Sequence, residues 1–179
     1  MKNILLASAA FLAIAAAAPS FAQSISEKTG VNQALGIASK TQDFVTIAGQ
    51  SDMLEIQSSK LALQKSDSDK TKTFAQKMID DHTATSTELK GLVSSGKVQV
   101  DAPSSLDKAH QAKLDKLAKL QGKDFTKQYD DMQVSAHKDA VSLFDRYSKD
   151  GDNADLKAFA GKTLPKLQEH LTMAQDLNK

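Results

Sequence analysis

Apolar residues recur at three- and four-residue spacing along most of the chain, and the pattern predicts five helices. The first runs over about Thr41–Lys65, with Phe44, Ile47, Ala48, Ser51, Leu54, Glu55, Ser58, Leu61 and Ala62 on one face. The second covers about Ser68–Ser95, with Phe74, Met78, His82, Thr85, Leu89 and Leu92 as its stripe. Asp67, Ser68 and Asp69 supply capping and first-turn acidic residues there. A connection from Gly91 to Ser105 follows, with Gly96, Pro103 and an alternating Val98-Gln99-Val100 that reads as extended. Ser104 or Ser105 then caps a short third helix, about Ser105–Leu120, which Gly122 breaks. The fourth helix, about Asp124–Lys149, carries Phe125, Tyr129, Met132, Ala136, Ala140, Leu143 and Tyr147. The turn Asp150-Gly151-Asp152-Asn153 leads into the fifth, about Ala154–Leu177, where Pro165 predicts a kink.

Four long helices and one short one define the fold class. The expectation is all-α: a ferritin-like four-helix bundle with one crossover connection carrying a short extra helix. The long connection after the second helix lets the chain return to the other end of the bundle. Ahead of the bundle, residues 41–179, stand two further segments. Residues 23–40 hold Gly30 and Gly36 without strong periodicity and read as an N-terminal arm. Residues 1–22 read as a secretory signal peptide: Lys2, an apolar run from Ile4 to Ala18, Pro19, then Ser20-Phe21-Ala22 before Gln23. Cleavage after Ala22 delivers the mature chain to the periplasm of a Gram-negative host. The apolar run is short of the ~20 residues that a spanning helix needs, and no later stretch predicts a transmembrane segment.

Composition narrows the chemistry. Lys and Arg total 23 against 22 Asp and Glu, and removal of Lys2 leaves the mature chain with no net charge. Arg146 is the only arginine. Nucleic acid is therefore not a partner, since its binders cluster basic residues on one face. The absence of Cys excludes disulfides, thiol catalysis, iron–sulfur clusters and thiolate zinc sites. Lys108, Lys113, Lys116 and Lys119 spread around the third helix, interleaved with Asp107 and Asp115, as a solvated face.

Several phrases occur together: Asp43-Phe44-Val45, Met53-Leu54-Glu55, and Lys60 to Lys65; then Phe74-Ala75-Gln76-Lys77-Met78-Ile79-Asp80-Asp81-His82-Thr83; then Leu156 to Pro165 and Leu167-Gln168-Glu169-His170-Leu171. Over about Phe44 to Leu177 the chain resembles the bacterial family called domain of unknown function 4142, often labelled predicted outer-membrane proteins. The resemblance implies a ferritin-like bundle exported to the envelope and attaches no activity. The sequence has no alternating strands of the kind an outer-membrane barrel needs.

Four polar residues occupy apolar stripes or their flanks: Glu55, His82, His137 and His170, all near mid-helix. In an antiparallel bundle such positions meet at similar depth, and three imidazoles with a carboxylate suit one transition-metal ion: Zn, Fe, Mn or Cu. Asp81, beside His82, and Asp139, two residues after His137, are candidate acceptors behind the ligands. The usual di-iron pattern is missing. Glu-x-x-His places a carboxylate three residues before the histidine, where this chain has Ile79, Val134 and Leu167. The alternative is a metal-free polar cluster that fixes helix register. His110 lies on the short helix with no evident partner.

No residue set reads as catalytic. The leading functional reading is an exported, non-enzymatic envelope or stress-related protein that binds an unidentified envelope partner, with oligomeric state open. The competing reading is a metal-binding or redox bundle. An acid–base hydrolase joining Glu55 to a histidine has least support, because it needs a solvent-connected pocket.

Overall fold

A computed structural model describes residues 40–179. The signal peptide expected at 1–22 and the arm, save Lys40, lie outside the described residues. The five helices are α1, Thr41–Lys65; α2, Asp69–Ser94; α3, Lys108–Ala118; α4, Gly122–Asp150; and α5, Ala154–Leu177. This is the all-α four-helix bundle with one crossover that the periodicity predicts. None of the described helices is long and apolar enough to cross a membrane.

Hydrogen bonds fix the directions of the helices. The start of α1 meets the end of α4, where Thr41 donates its backbone N–H to Asp152 at 2.9 Å and its hydroxyl shares a hydrogen bond with Tyr147 at 2.7 Å. The end of α1 meets the start of α4 through Ser66 and Thr126, 2.8 Å apart. The start of α2 meets the end of α5 through Lys70 and the Asp176 carbonyl, and the end of α2 meets the start of α5 through Glu88 and Lys162. Hairpins α1–α2 and α4–α5 therefore pack side by side, α1 antiparallel to α4 and α2 antiparallel to α5.

The crossover must climb from the end of α2 to the start of α4, and it does so along α1. Gln42 donates to the Asp101 carbonyl, and Gln50 both donates to the Ser105 carbonyl and accepts from the Asp107 N–H. Its path departs from the sequence reading at two points. The segment around Val98-Gln99-Val100 is an irregular connection, with Val98 buried by its contact with the core rather than by strand pairing. The short helix starts at Lys108, because Asp107 is the residue whose carboxylate reaches the His110 N–H, at 2.8 Å; Ser104 and Ser105 stay in the loop. Gly122 does not merely break α3. It opens α4 with φ +53°, a left-handed conformation that glycine adopts without strain. Helix α5 runs on through Pro165, which is exposed and leaves the Gly161 carbonyl without its ladder donor.

The core is divided. One apolar cluster joins Phe44, Val45, Leu143, Phe144, Tyr147, Leu156 and Phe159 at the end where α1 begins. Phe44 stacks on Tyr147 with ring centroids 4.0 Å apart. The other joins Ala62, Phe74, Met78, Leu117, Phe125, Tyr129 and Ala174 at the end where α1 finishes. Between them lies a layer of buried polar residues that includes Asp52, Glu55, His82, Gln133, His137 and His170.

The crossover packs against α1 at Gly49, where an added Cβ would sit 2.7 Å from Pro103 Cγ; the same addition at Gly91 in α2 meets nothing within 4 Å. Gly91→Ala should therefore stabilise the protein by the helix-propensity gain of about 0.5–1 kcal/mol. Gly49→Ala should forfeit that gain or destabilise, because the rigid proline ring must move. Urea unfolding of the two variants checks the contrast; equal stabilisation by both would contradict this account of the crossover.

Candidate metal centre

Each helix of the bundle brings its polar residue to the central layer by the register of its apolar stripe. On α2, His82 follows Met78 by one turn and shares its buried face. On α4, His137 follows Gln133 by one turn; on α5, His170 follows Leu167 by three residues. All three imidazoles are buried, at 3 %, 1 % and 1 % exposure. Their ring centroids form a nearly equilateral triangle with sides of 5.6, 5.5 and 5.4 Å.

One nitrogen of each ring is held from outside the triangle. His82 Nδ1 lies 2.8 Å from Asp52 Oδ1 on α1, and Asp52 Oδ2 also accepts from Ser86 at 3.0 Å. His137 Nδ1 lies 2.9 Å from the Gln133 carbonyl, one turn back on its own helix. His170 Nε2 lies 2.8 Å from Asp81 Oδ2 on α2. Each of these partners is an acceptor, so each ring, when neutral, carries its proton on that nitrogen and presents a lone pair on the other. The remaining nitrogens, His82 Nε2, His137 Nε2 and His170 Nδ1, have no hydrogen-bond partner. Donor atoms of the three residues all lie within 4.8 Å of one another. Metal–nitrogen bonds of about 2.0–2.1 Å set donors roughly 3.4 Å apart, so small side-chain rotations close the ring on one ion.

Electrostatics follow from burial and neighbours. Burial, then the nearby His82, depress His137 to about 4. Burial likewise depresses His170 to about 4, with the Asp81 hydrogen bond only partly offsetting it. Burial also pushes His82 down, but the hydrogen bond and charge of Asp52 outweigh it and the net shift is upward. Asp81 loses solvent, yet its contacts with Lys166, His170 and Lys77 hold it well below the ordinary carboxylate range. Glu55, 1 % exposed, is raised chiefly by burial, with His82 and the Gln133 side chain opposing. The Gln133 amide thus lies beside the Glu55 carboxylate, but outside hydrogen-bonding geometry: both Glu55 oxygens and both Gln133 amide atoms are unpartnered.

The structure brings the three histidines together and leaves Glu55 outside the set of donors within 4.8 Å of one another, next to His82 and Gln133. Asp81 serves His170, across the α2–α5 seam, instead of its neighbour His82. Asp139 is exposed and lines a surface groove with Lys113 and Lys116; the acceptor behind His137 is the Gln133 carbonyl instead. His110 does have a partner, Asp107 Oδ1 at 2.9 Å, one turn back on the helix cap. Asp52 and Gln133 escaped the sequence reading. Their signals were present as Asp52-x-x-Glu55 and Gln133-x-x-x-His137, pairs that share a helix face.

A depressed histidine makes the unfolded chain the stronger proton binder. For His137 and His170 this holds between about pH 4 and the ordinary value of 6.5, so their contribution to the stability of metal-free protein should grow as pH rises through that window and shrink on acidification, while Glu55 and Asp130, raised by burial, act in the opposite direction. His82, raised, acts in the opposite direction above its ordinary value. The difference in urea midpoint between the native chain and a histidine variant across pH 4–7 checks the sign. The double variant His137→Gln, His170→Gln should lower the slope of stability against pH relative to the native chain, and an unchanged slope would refute the assignment.

Two solved structures share the fold. CopM in the Cu(I)-bound form aligns with a TM-score of 0.61 at 19 % identity, covering 76 % of this chain and 94 % of that one. CopM in the Cu(II)-bound form aligns with a TM-score of 0.63 at 17 % identity, covering 78 % and 96 %. Among curated proteins none matches the sequence significantly. Residues 26–177 match the family described as domain of unknown function (DUF4142), and the chain belongs to that family.

Proposed function

We propose that this protein is exported and binds one transition-metal ion, copper first, through His82 Nε2, His137 Nε2 and His170 Nδ1, with the Glu55 carboxylate beside the site. The observation that carries the reading is the set of three buried ring nitrogens without a hydrogen-bond partner, on residues that each offer a ligand atom within 4.8 Å of the others. Each unsatisfied buried polar group costs about 1–3 kcal/mol. A metal-free register device would pair these groups with one another; here no hydrogen bond joins them. A cation removes that cost, and the outer acceptors Asp52, Gln133 and Asp81 are the kind that fix tautomer and orientation in metal-binding histidines.

The choice of copper rests on donor chemistry. Imidazole donors without thiolate suit copper, zinc, iron and nickel, and among divalent ions copper binds such sites most tightly. The copper-bound state of the two CopM structures agrees with that choice, although at their identities the likeness carries the fold alone. Export rests on the leader at residues 1–22 and the absence of Cys, which suits an oxidising compartment. The partner-binding reading of the sequence leaves the three orphaned nitrogens without a role.

Elemental mass spectrometry of untagged protein recovered from periplasm should find one metal per chain, and about none after His82→Ala, His137→Ala and His170→Ala together. Because that variant opens a cavity in the core, Asp52→Asn provides a milder test: it keeps the three ligands and should weaken the metal about 10–100-fold. Saturation of the apoprotein at ~100 times the dissociation constant should add about 2.7 kcal/mol and raise Tm by roughly 5–10 °C. Helical native protein that neither retains metal nor shifts its Tm with copper or zinc would overturn the reading.

A further inference from the structure

Three histidine ligands account for three of the orphaned atoms in the polar layer and leave four others. Both Glu55 oxygens and both Gln133 amide atoms are buried without a partner. Their placement is one-sided. On α1, Glu55 follows Asp52 by three residues, toward the end where α1 meets α4's start; on α4, which runs the opposite way, Gln133 precedes His137 by one turn. Both displacements point to the same side of the triangle. That side is roofed by apolar and aromatic groups: Met78, one turn before His82, and Phe74, whose ring lies 6.3 Å from His137 and 6.4 Å from Tyr129.

A buried carboxylate and a buried amide, neither with a hydrogen-bond partner, stand on one side of three imidazoles that each have a nitrogen without one. A ligand there meets the ion below, an acceptor in Glu55, and both a donor and an acceptor in Gln133, within the two to four partners that a buried water requires. Three protein ligands with one exchangeable position is also the coordination that separates reactive metal centres from structural ones. Resting on the metal reading above, we propose that Glu55 and Gln133 hold a small oxygen-donor ligand, water in the resting protein, on the open face of the three-histidine centre. Glu55 is then a positioning residue for that ligand and not a fourth metal ligand. The centre is built to admit a small exogenous molecule, and a purely structural ion would leave these two side chains unsatisfied.

The test uses protein loaded with one Cu(II) and pulsed electron paramagnetic resonance in deuterated water. The native protein should show deuterons of a directly bound, exchangeable water, and azide should displace them with a new charge-transfer band at one azide per copper. Glu55→Gln should keep one copper per chain with affinity within about tenfold of native, whereas His82→Ala loses it. Replacing Glu55 and Gln133 together by Leu should keep the copper and lose the deuteron signal; circular dichroism confirms the fold, and Glu55→Gln carries the test if that variant unfolds. Stoichiometric copper with no exchangeable ligand, or copper lost from Glu55→Gln as completely as from His82→Ala, would overturn this inference and leave the three-histidine site standing. Absence of copper from the native protein would overturn both.

Discussion

The hydrogen bond between Asp52 on α1 and His82 on α2 is the contact around which the central layer is organised. It spans the first hairpin, it is fully buried, and it decides which imidazole nitrogen carries the proton. Once Nδ1 donates outward, the neutral ring presents its lone pair on Nε2. The same logic operates at His170, tied to Asp81 across the α2–α5 seam, and at His137, tied to the carbonyl of Gln133 on its own helix. Two of the three anchors cross between helices, so the register of α1 against α2 and of α2 against α5 sets the geometry of the triangle. Lys166 and Lys77 pin Asp81 from the outside, which keeps it ionised as an acceptor.

Such a layer is expensive and the rest of the fold is arranged to tolerate it. Apolar clusters close off both ends, one around stacked Phe44 and Tyr147, the other around Phe74, Phe125 and Tyr129. The antiparallel helices bring mid-helix positions to one depth, and the crossover lies against α1 instead of entering the layer. For the proposed metal site, burial that would be a penalty for a solitary imidazole becomes useful. It keeps His137 and His170 neutral, and a neutral ring is what a cation requires.

The long helices were legible in the sequence because their apolar stripes are long, and α1 and α5 have the bounds that the periodicity predicts. The crossover was less legible. Several residues there can cap a helix, and which one does depends on where Gln50 grips the chain, through the Ser105 carbonyl and the Asp107 N–H. The histidines were visible as polar residues on or beside apolar faces. Asp52 was not, since its helix face looks polar until α2 is laid against it. Gln133 was hidden because its main contribution is a backbone carbonyl. Asp139 is near His137 in sequence but points to solvent, two residues on a helix being about 200° apart.

Crystals of the protein soaked in copper and measured by anomalous diffraction at the copper edge would locate the ion directly. The account predicts one strong peak per chain inside the triangle, bonded to His82 Nε2, His137 Nε2 and His170 Nδ1, with Asp52, the Gln133 carbonyl and Asp81 still holding the opposite nitrogens. A peak elsewhere, such as the surface pair of His110 and Asp107, with the central rings empty of metal, would contradict it.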